Sequence, residues 1–304
     1  VVVYYLSLLV FPHPSRLNLD YDFPLSFSLI DPWTTLPSAI LILLLIGLAV
    51  FSIRRYRLLF FCVIWFLGNL AIESTVIPLQ DIIFEHRLYL PSMILGLPLL
   101  VFIDRRVKNL WIPGLVICLT AVVFSYWTYQ RNKVWQNEMS LWADNVKKSP
   151  NKARPHNNLG LAFQNQGNIE KALFHYTTAS QLDPTSYVAH NNLGNIYMDQ
   201  GNLEKAFFHL SGALKIRPGY SNARINMGRY YYLKGDSKTA LDHYSKVLAA
   251  NPLNEVAHNN AGNILVQQEK LDEAKHHFLR AMEINPHYID PVIGFGKPDS
   301  ISDA

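Results

Sequence analysis

Two cysteines among 304 residues are too few to staple a fold. Cys62 and Cys118 both sit in apolar runs, which argues against a disulfide framework and leaves the redox compartment open. Charge is also scarce, at 16% of residues, and the net charge of +4 is small and scattered. That excludes the basic stripe a nucleic-acid-binding domain needs. The shortage is uneven: residues 1–130 are dominated by Leu, Ile, Val, Phe and Tyr, whereas residues 131–304 are polar and rich in Asn, Gln, Lys and His. A change of composition this sharp reads as two parts in two solvents, one spanning 1–132 and the other 133–304.

In the first part four apolar runs stand out, at 36–53, 58–72, 88–104 and 109–127, and residues 1–11 look like the end of a fifth. A spanning helix needs about 20 residues. The first, third and fourth runs nearly fit, and the second is short unless it continues through Glu73 toward Pro78. So many runs so close together favour a polytopic transmembrane helix bundle over buried helices of a soluble domain. Arg54, Arg55 and Arg57 fill one short loop, and Arg105, Arg106 and Lys108 another. By the positive-inside rule both loops face the cytoplasm. Segments 12–35 and 73–87 and everything after 128 then lie outside it, with Arg131 and Lys133 opposing weakly.

The stretch EHRLYLPS, residues 85–92, ends the second outside loop where a helix re-enters the membrane. Ionisable residues at that depth are costly and mark candidate sites. Arg87 and His86 suit an anionic headgroup through forked and charged donors, and Glu85 can orient Arg87 or meet a sugar hydroxyl. The competing reading is an interfacial anchor, with Arg87 snorkelling and Glu85 paired to it.

The second part is a repeat array. Gly160, Gly194, Gly228 and Gly262 fall at one constant spacing, and it is shared by Ala172, Ala206, Ala240 and Ala274 and by Pro184, Pro218, Pro252 and Pro286. This resembles the tetratricopeptide repeat (TPR), an α-solenoid of paired antiparallel helices with a period of about 34 residues. Small residues let the two helices approach, and the proline ends the second. Four full repeats fall at about 151–184, 185–218, 219–252 and 253–286. A second glycine marks the turn between helices at 167, 201 and 235, but the fourth repeat has Glu269 there. Pro150 and Trp142 keep the register one unit earlier, so VWQNEMSLWADNVKKSP is a lone second helix that mounts the array firmly on the last membrane helix. Gly296 keeps the register at the other end.

Two ladders run through the array. His175, His209, His243 and His277 recur once per repeat. Equivalent atoms of successive units stand roughly 8–10 Å apart, too far to share a zinc ion bound at about 2.0–2.1 Å. The ladder therefore reads as a repeated polar surface position, and no metal site is expected. Asn158, Asn192, Asn226 and Asn260 recur at the same spacing on each first helix. An amide offers both a donor and an acceptor. An extended peptide advances about 3.3 Å per residue, so about three residues span one unit. Spaced amides can thus hold a peptide backbone without reading its side chains, an arrangement similar to the asparagine ladder of O-GlcNAc transferase repeat domains. Asparagine is also simply frequent here, at Asn157, Asn191 and Asn259.

TPR units after a membrane domain, together with ESTVIPLQDIIFEHRLYLPS, resemble the transmembrane-and-TPR protein O-mannosyltransferases and their bacterial relatives. These look like membrane glycosyltransferases of GT-C architecture. Glu85, Arg87, Leu88, Tyr89, Leu90, Pro91 and Ser92 match that family's segment before a membrane helix, and Pro78 matches an upstream proline. The resemblance implies transfer of a sugar from a polyprenyl- or dolichyl-phosphate donor to protein Ser or Thr, with the TPRs presenting the acceptor. Its implied partners are the bilayer, the lipid-phosphate sugar as donor substrate and a polypeptide acceptor or protein partner; no cofactor is certain, and the small scattered charge argues against nucleic acid. The need for a divalent metal stays open. The family's catalytic acid is expected in a first outside loop near the N-terminus. Asp20, Asp22, Asp31 and Asp81 match no such motif, so no catalytic residue is assigned. The chain starts at Val1 inside an apolar run and reads as an N-terminally truncated bacterial member, not active alone, with its TPRs periplasmic. In a eukaryote the same side would be the ER lumen. The alternative is a non-catalytic, membrane-anchored TPR scaffold.

Overall fold

A computed structural model describes residues 2–18, 33–75 and 111–286, with isolated positions between them. The described elements are helical, and they fall into two compact units, 1–162 and 163–304.

In the first unit, α1 (Val2–Val10) is followed by a short 3-10 turn at Pro14–Arg16. Next come α2 (Thr35–Arg55), α3 (Arg57–Thr75), α4 (Trp111–Val134) and α5 (Glu138–Lys148). Helix α2 packs on α1 and α3 but leaves most of its apolar surface open: Leu43, Leu44 and Phe51 are 67%, 64% and 70% exposed. Among the described residues α2 is the one helix long and apolar enough to cross a membrane. The polytopic bundle expected from the sequence is therefore not supported. The run at 58–72 becomes α3, whose apolar stretch of 57–69 is too short to span, and the run at 88–104 lies outside the described residues. The run at 109–127 forms α4, which continues into Gln130, Arg131, Asn132 and Lys133 and is not apolar enough to count as a span. Both cysteines are unpaired, Cys62 buried and Cys118 exposed.

Within this unit α4, α5 and the segment after α1 are tied together. A brief turn links α4 to α5, whose N-cap Asn137 accepts from the Ser140 amide. Arg131, 6% exposed, donates to Asp144 at 3.1 Å, and Lys148 donates to the same carboxylate at 2.6 Å. The Lys148 ammonium also donates to the carbonyls of Pro14 and Leu17, at 2.9 and 2.7 Å. Asn18 donates to Ser149 at 2.7 Å in a buried bond. The segment after α1 is thus tied to the helix that opens the array. Removing Asp144 would take a shared carboxylate from two largely buried cations.

Helix α6 (Ala153–Asn165) starts in the first unit and ends in the second. The second unit continues with α7 (Ile169–Leu182), α8 (Tyr187–Asp199), α9 (Leu203–Ile216), α10 (Ser221–Leu233), α11 (Ser237–Ala250), α12 (Glu255–Gln267) and α13 (Leu271–Ile284). Every helix boundary in it recurs at the period of the glycines, alanines and prolines. From α7 onward each helix touches the next, and the first helices α8, α10 and α12 also touch one another. The close approach within a repeat needs glycine: a Cβ on Gly228 would lie 2.5 Å from Tyr244 Cε1, and one on Gly194 would lie 2.6 Å from Leu210 Cγ. Ala172, Ala206, Ala240 and Ala274 have no exposed surface at all.

The turns are equally regular. Gly167, Gly201 and Gly235 adopt φ of 75°, 74° and 81°. In each turn the amide three residues past the first helix bonds back to its third-last carbonyl, as in Asn202 to Tyr197 at 2.8 Å. Glu269 takes the same conformation, φ 59°, and Lys270 makes the same bond to Leu265 at 2.9 Å. The fourth turn is therefore intact, and packing on either side imposes a left-handed backbone on a non-glycine residue.

Candidate peptide-binding face

The ladder asparagines Asn192, Asn226 and Asn260 stand on α8, α10 and α12, each half-buried. They are not a row of free amides. Asn191, 6% exposed, donates to Asn192 Oδ1 at 3.2 Å and accepts from Asn226 Nδ2 at 2.9 Å. One buried amide thus holds two ladder residues from neighbouring repeats and sets which way each points. The chain of amides stops at the third repeat, where Ile225 occupies the equivalent position and can neither give nor take a bond. Asn158, the ladder's first member, belongs to the N-terminal unit, where it accepts from Asn157 at 3.3 Å.

A second row, missed in the sequence, runs beside the ladder. Arg229 donates to Asn195 at 3.0 Å and to Asp199 at 2.7 Å, joining α10 to α8. Gln267 and Tyr232 make a further hydrogen bond between α12 and α10. The signal was available: Arg229 lies one repeat after Asn195 and one before Asn263. On α12 the counterparts lack such partners. Asn259, 5% exposed, has a buried Nδ2 without a hydrogen bond, and Asn263 has a buried Oδ1 in the same condition.

The histidine ladder is half-buried rather than on the surface. His175, His209 and His243 stack on Phe163, Tyr197 and Tyr231, with ring centroids 5.5, 5.5 and 5.4 Å apart. They close the gap between the two helices of a repeat. His209 Nδ1 lies 3.0 Å from His190 Nδ1, and His277 Nδ1 lies 2.9 Å from His258 Nδ1. This exposes another period the sequence reading passed over: His156, His190, Arg224 and His258, again one repeat apart. Three of them also reach the carbonyl of the proline that closes the preceding unit: His156 with Pro150 at 3.1 Å, Arg224 with Pro218 at 2.5 Å and His258 with Pro252 at 3.2 Å. Burial, the nearby His190 and the Lys205 charge push His209 down from 6.5 to about 4. Burial and adjacent positive charge push His243 and His277 in the same direction. Among the described residues no group of three or more metal-ligating side chains occurs.

The other expected site residues, Glu85, His86 and Arg87, lie outside the described residues, as do Asp20, Asp22, Asp31, Asp81 and Gly296.

Paired helices at a constant period, with glycine and alanine at the contact and proline at the exit, make this stretch a tetratricopeptide array. Models of the tetratricopeptide repeat match residues 185–252 and 256–288, and a TPR repeat model matches 165–201. The chain is 30% identical over 186 residues to the Homo sapiens protein O-mannosyl-transferase TMTC3, an alignment covering 57% of this chain and 20% of that protein. It is 30% identical over 134 residues to Tmtc3, the protein O-mannosyl-transferase of Drosophila melanogaster, covering 41% and 14%. The matched stretch thus spans a fifth or less of these curated relatives. Among solved structures, a thermophilic TPR protein of Thermus thermophilus is 19% identical with a TM-score of 0.46, covering 56% of this chain and 91% of that one. MamA of Desulfovibrio magneticus is 18% identical with a TM-score of 0.42, covering 49% and 84%.

Proposed function

We propose that this chain is part of a multi-pass membrane glycosyltransferase that moves a sugar, mannose by its relatives' names, from a polyprenyl-phosphate donor to protein Ser or Thr. The identity of 30% to two protein O-mannosyl-transferases is the observation that carries this reading. In the reaction an acceptor hydroxyl oxygen bonds to the anomeric carbon. The bond from that carbon to the phosphate oxygen breaks, and its electron pair leaves on the lipid phosphate. The hydroxyl proton passes to a carboxylate base, a role given to no residue of this chain. Arg87, with His86 and Glu85 beside it, is the element that meets the lipid phosphate. The repeats stand on the non-cytoplasmic side and hold the acceptor through Asn158, Asn192, Asn226 and Asn260.

The donor site is testable without turnover. The full chain in nanodiscs is mixed with a fluorescent polyprenyl-phosphate mannose. Arg87→Gln is expected to weaken donor binding at least ~10-fold, as loss of a charge-assisted phosphate contact should, with the array's thermal transition unmoved. Equal binding by the variant would remove the donor site. A second reading is favoured by one observation: the described residues are mostly repeats, so the chain would serve as a membrane-anchored scaffold for a protein partner. It predicts no donor binding by either form.

A further inference from the structure

The two helix types of the array divide their polar residues sharply. The first helices α8, α10 and α12 carry nine side-chain amides, and the second helices α9, α11 and α13 carry none. Charge is distributed the other way. The second helices hold eleven charged residues, and the first hold Asp199, Arg224, Arg229 and Glu255, two of each sign. Even these few are occupied near the ladder, since Arg229 spends its guanidinium on Asn195 and Asp199. A protein surface that only had to stay soluble would favour charge, as the second helices do. An amide face with no net field gives up that advantage, yet it can match the alternating N–H and C=O groups of an extended chain.

The same face holds polar groups that want a partner. The buried Asn259 Nδ2 is a donor and the buried Asn263 Oδ1 an acceptor, one helical turn apart on α12, and neither is bonded to a described residue. Their equivalents in the second repeat are satisfied: Asn191 by Asn192 and Asn226, and Asn195 by Arg229. Leaving a buried donor or acceptor unmade costs about 1–3 kcal/mol. One donor and one acceptor side by side are the complement of a peptide unit.

We infer that the first-helix face takes an extended polypeptide of low charge, recognised by its backbone, and that Asn259 and Asn263 form an anchoring point for it in the fourth repeat. This rests on the acceptor-presenting reading above and sharpens it. The face discriminates against strongly acidic or basic segments because it offers no counter-charge to replace their hydration. It does not distinguish one neutral sequence from another.

Fluorescence anisotropy on the full chain in nanodiscs tests this with three labelled peptides of about twelve residues, enough for roughly four units. One contains only Ser, Thr and Ala, and in the others three residues are Asp or Lys. The neutral peptide is expected to bind at least as tightly as either charged one. Its Kd should change less than about 2-fold between roughly 50 and 500 mM salt, because no charge pair is there to be screened. Asn259→Leu with Asn263→Leu should weaken it by ~10-fold or more, with unchanged helical content and an unchanged or higher Tm. A charged peptide that binds best and loses affinity steeply with salt would overturn the inference while leaving acceptor presentation standing. Equal binding by the double variant would remove Asn259 and Asn263 from the site. If none of the three peptides binds, the acceptor-presenting reading itself falls.

Discussion

Helix α2 and helix α11 are both rich in apolar residues, but the two regions they represent use them in opposite ways. In α2, Leu43, Leu44 and Phe51 are mostly exposed, and its buried residues are Ala49 and Ser52. In the array, Tyr244 and Val247 of α11 are 2% and 1% exposed, and they pack on Ile225, Ala257 and Ile264 of the flanking first helices. An apolar residue held by another helix is felt by the fold when it is cut back. One facing outward is felt only by whatever surrounds it. Among the described residues α2 is the one helix long and apolar enough to cross a bilayer, whereas the array draws its stability from repeat-to-repeat contact.

The sharpest way to break that comparison is a matched pair of truncations. Tyr244→Ala should cost the array about 3–5 kcal/mol, the usual loss for a buried aromatic side chain. Leu44→Ala should change it by less than ~0.5 kcal/mol. Urea denaturation of the detergent-solubilised chain, followed by circular dichroism, measures both. A large effect of Leu44→Ala would mean that α2 is packed after all.

A smaller difference is expected between two glycines of the array. Gly228→Ala drives a methyl into the Tyr244 ring, an overpacking cost of about 1–3 kcal/mol. Better helix propensity returns at most about 1 kcal/mol of it. At Gly212 the new Cβ would lie 3.5 Å from His190 Nδ1, an ordinary contact, so Gly212→Ala should raise Tm. If both variants destabilise equally, close approach is not what the once-per-repeat glycines provide.

The histidines give a pH signature confined to the array. His209 titrates at about 4 when folded and near 6.5 when unfolded. Between those values the unfolded chain binds more protons, so stability falls as pH drops through that window and is flat above it. His243 and His277 add to the same trend. Thermal melts from pH 7.5 to 4 should show the fall, and His209→Leu should flatten it. An unchanged slope in that variant would assign the acid sensitivity elsewhere.

The smallest effect is expected at the fourth turn. Glu269→Gly removes left-handed strain from a side-chain-bearing residue, and the unfolded chain's extra freedom offsets part of the gain. A net stabilisation of about 0.5–1 kcal/mol is expected, read as a Tm increase. No increase would mean that Glu269 is strain-free at φ 59°.

Much of the array was legible because its constraints are local and repeated. Glycine at 228, alanine at 240 and proline at 252 each report one geometric demand, and the demand returns in every repeat. The helix that precedes the four repeats, α5, was legible through Trp142 and Pro150. Its contacts with the segment after α1 were not, because Lys148 reaches Pro14 and Leu17 across most of the first unit's length. The histidine ladder was seen and misplaced. Its spacing is visible in the chain, but whether a ring faces solvent or a neighbouring helix depends on His190 and His258, which stand 19 residues away on the paired helix. Of the apolar runs, those at 36–53, 58–72 and 109–127 gave helices, and among the described residues only the first is long and apolar enough to span.

The sequence by itself determined the repeat class, the length and pairing of the helices and the residues that line each first helix. These follow from sterics within a few turns of chain. Only the tertiary structure decided how the ladder is wired. Asn191 orients two of its members, Ile225 interrupts it, Arg229 is neutralised by Asp199, and Asn259 and Asn263 are left with unbonded buried atoms. A hydrogen bond needs two atoms at about 3 Å with the right direction, and a repeat period fixes neither.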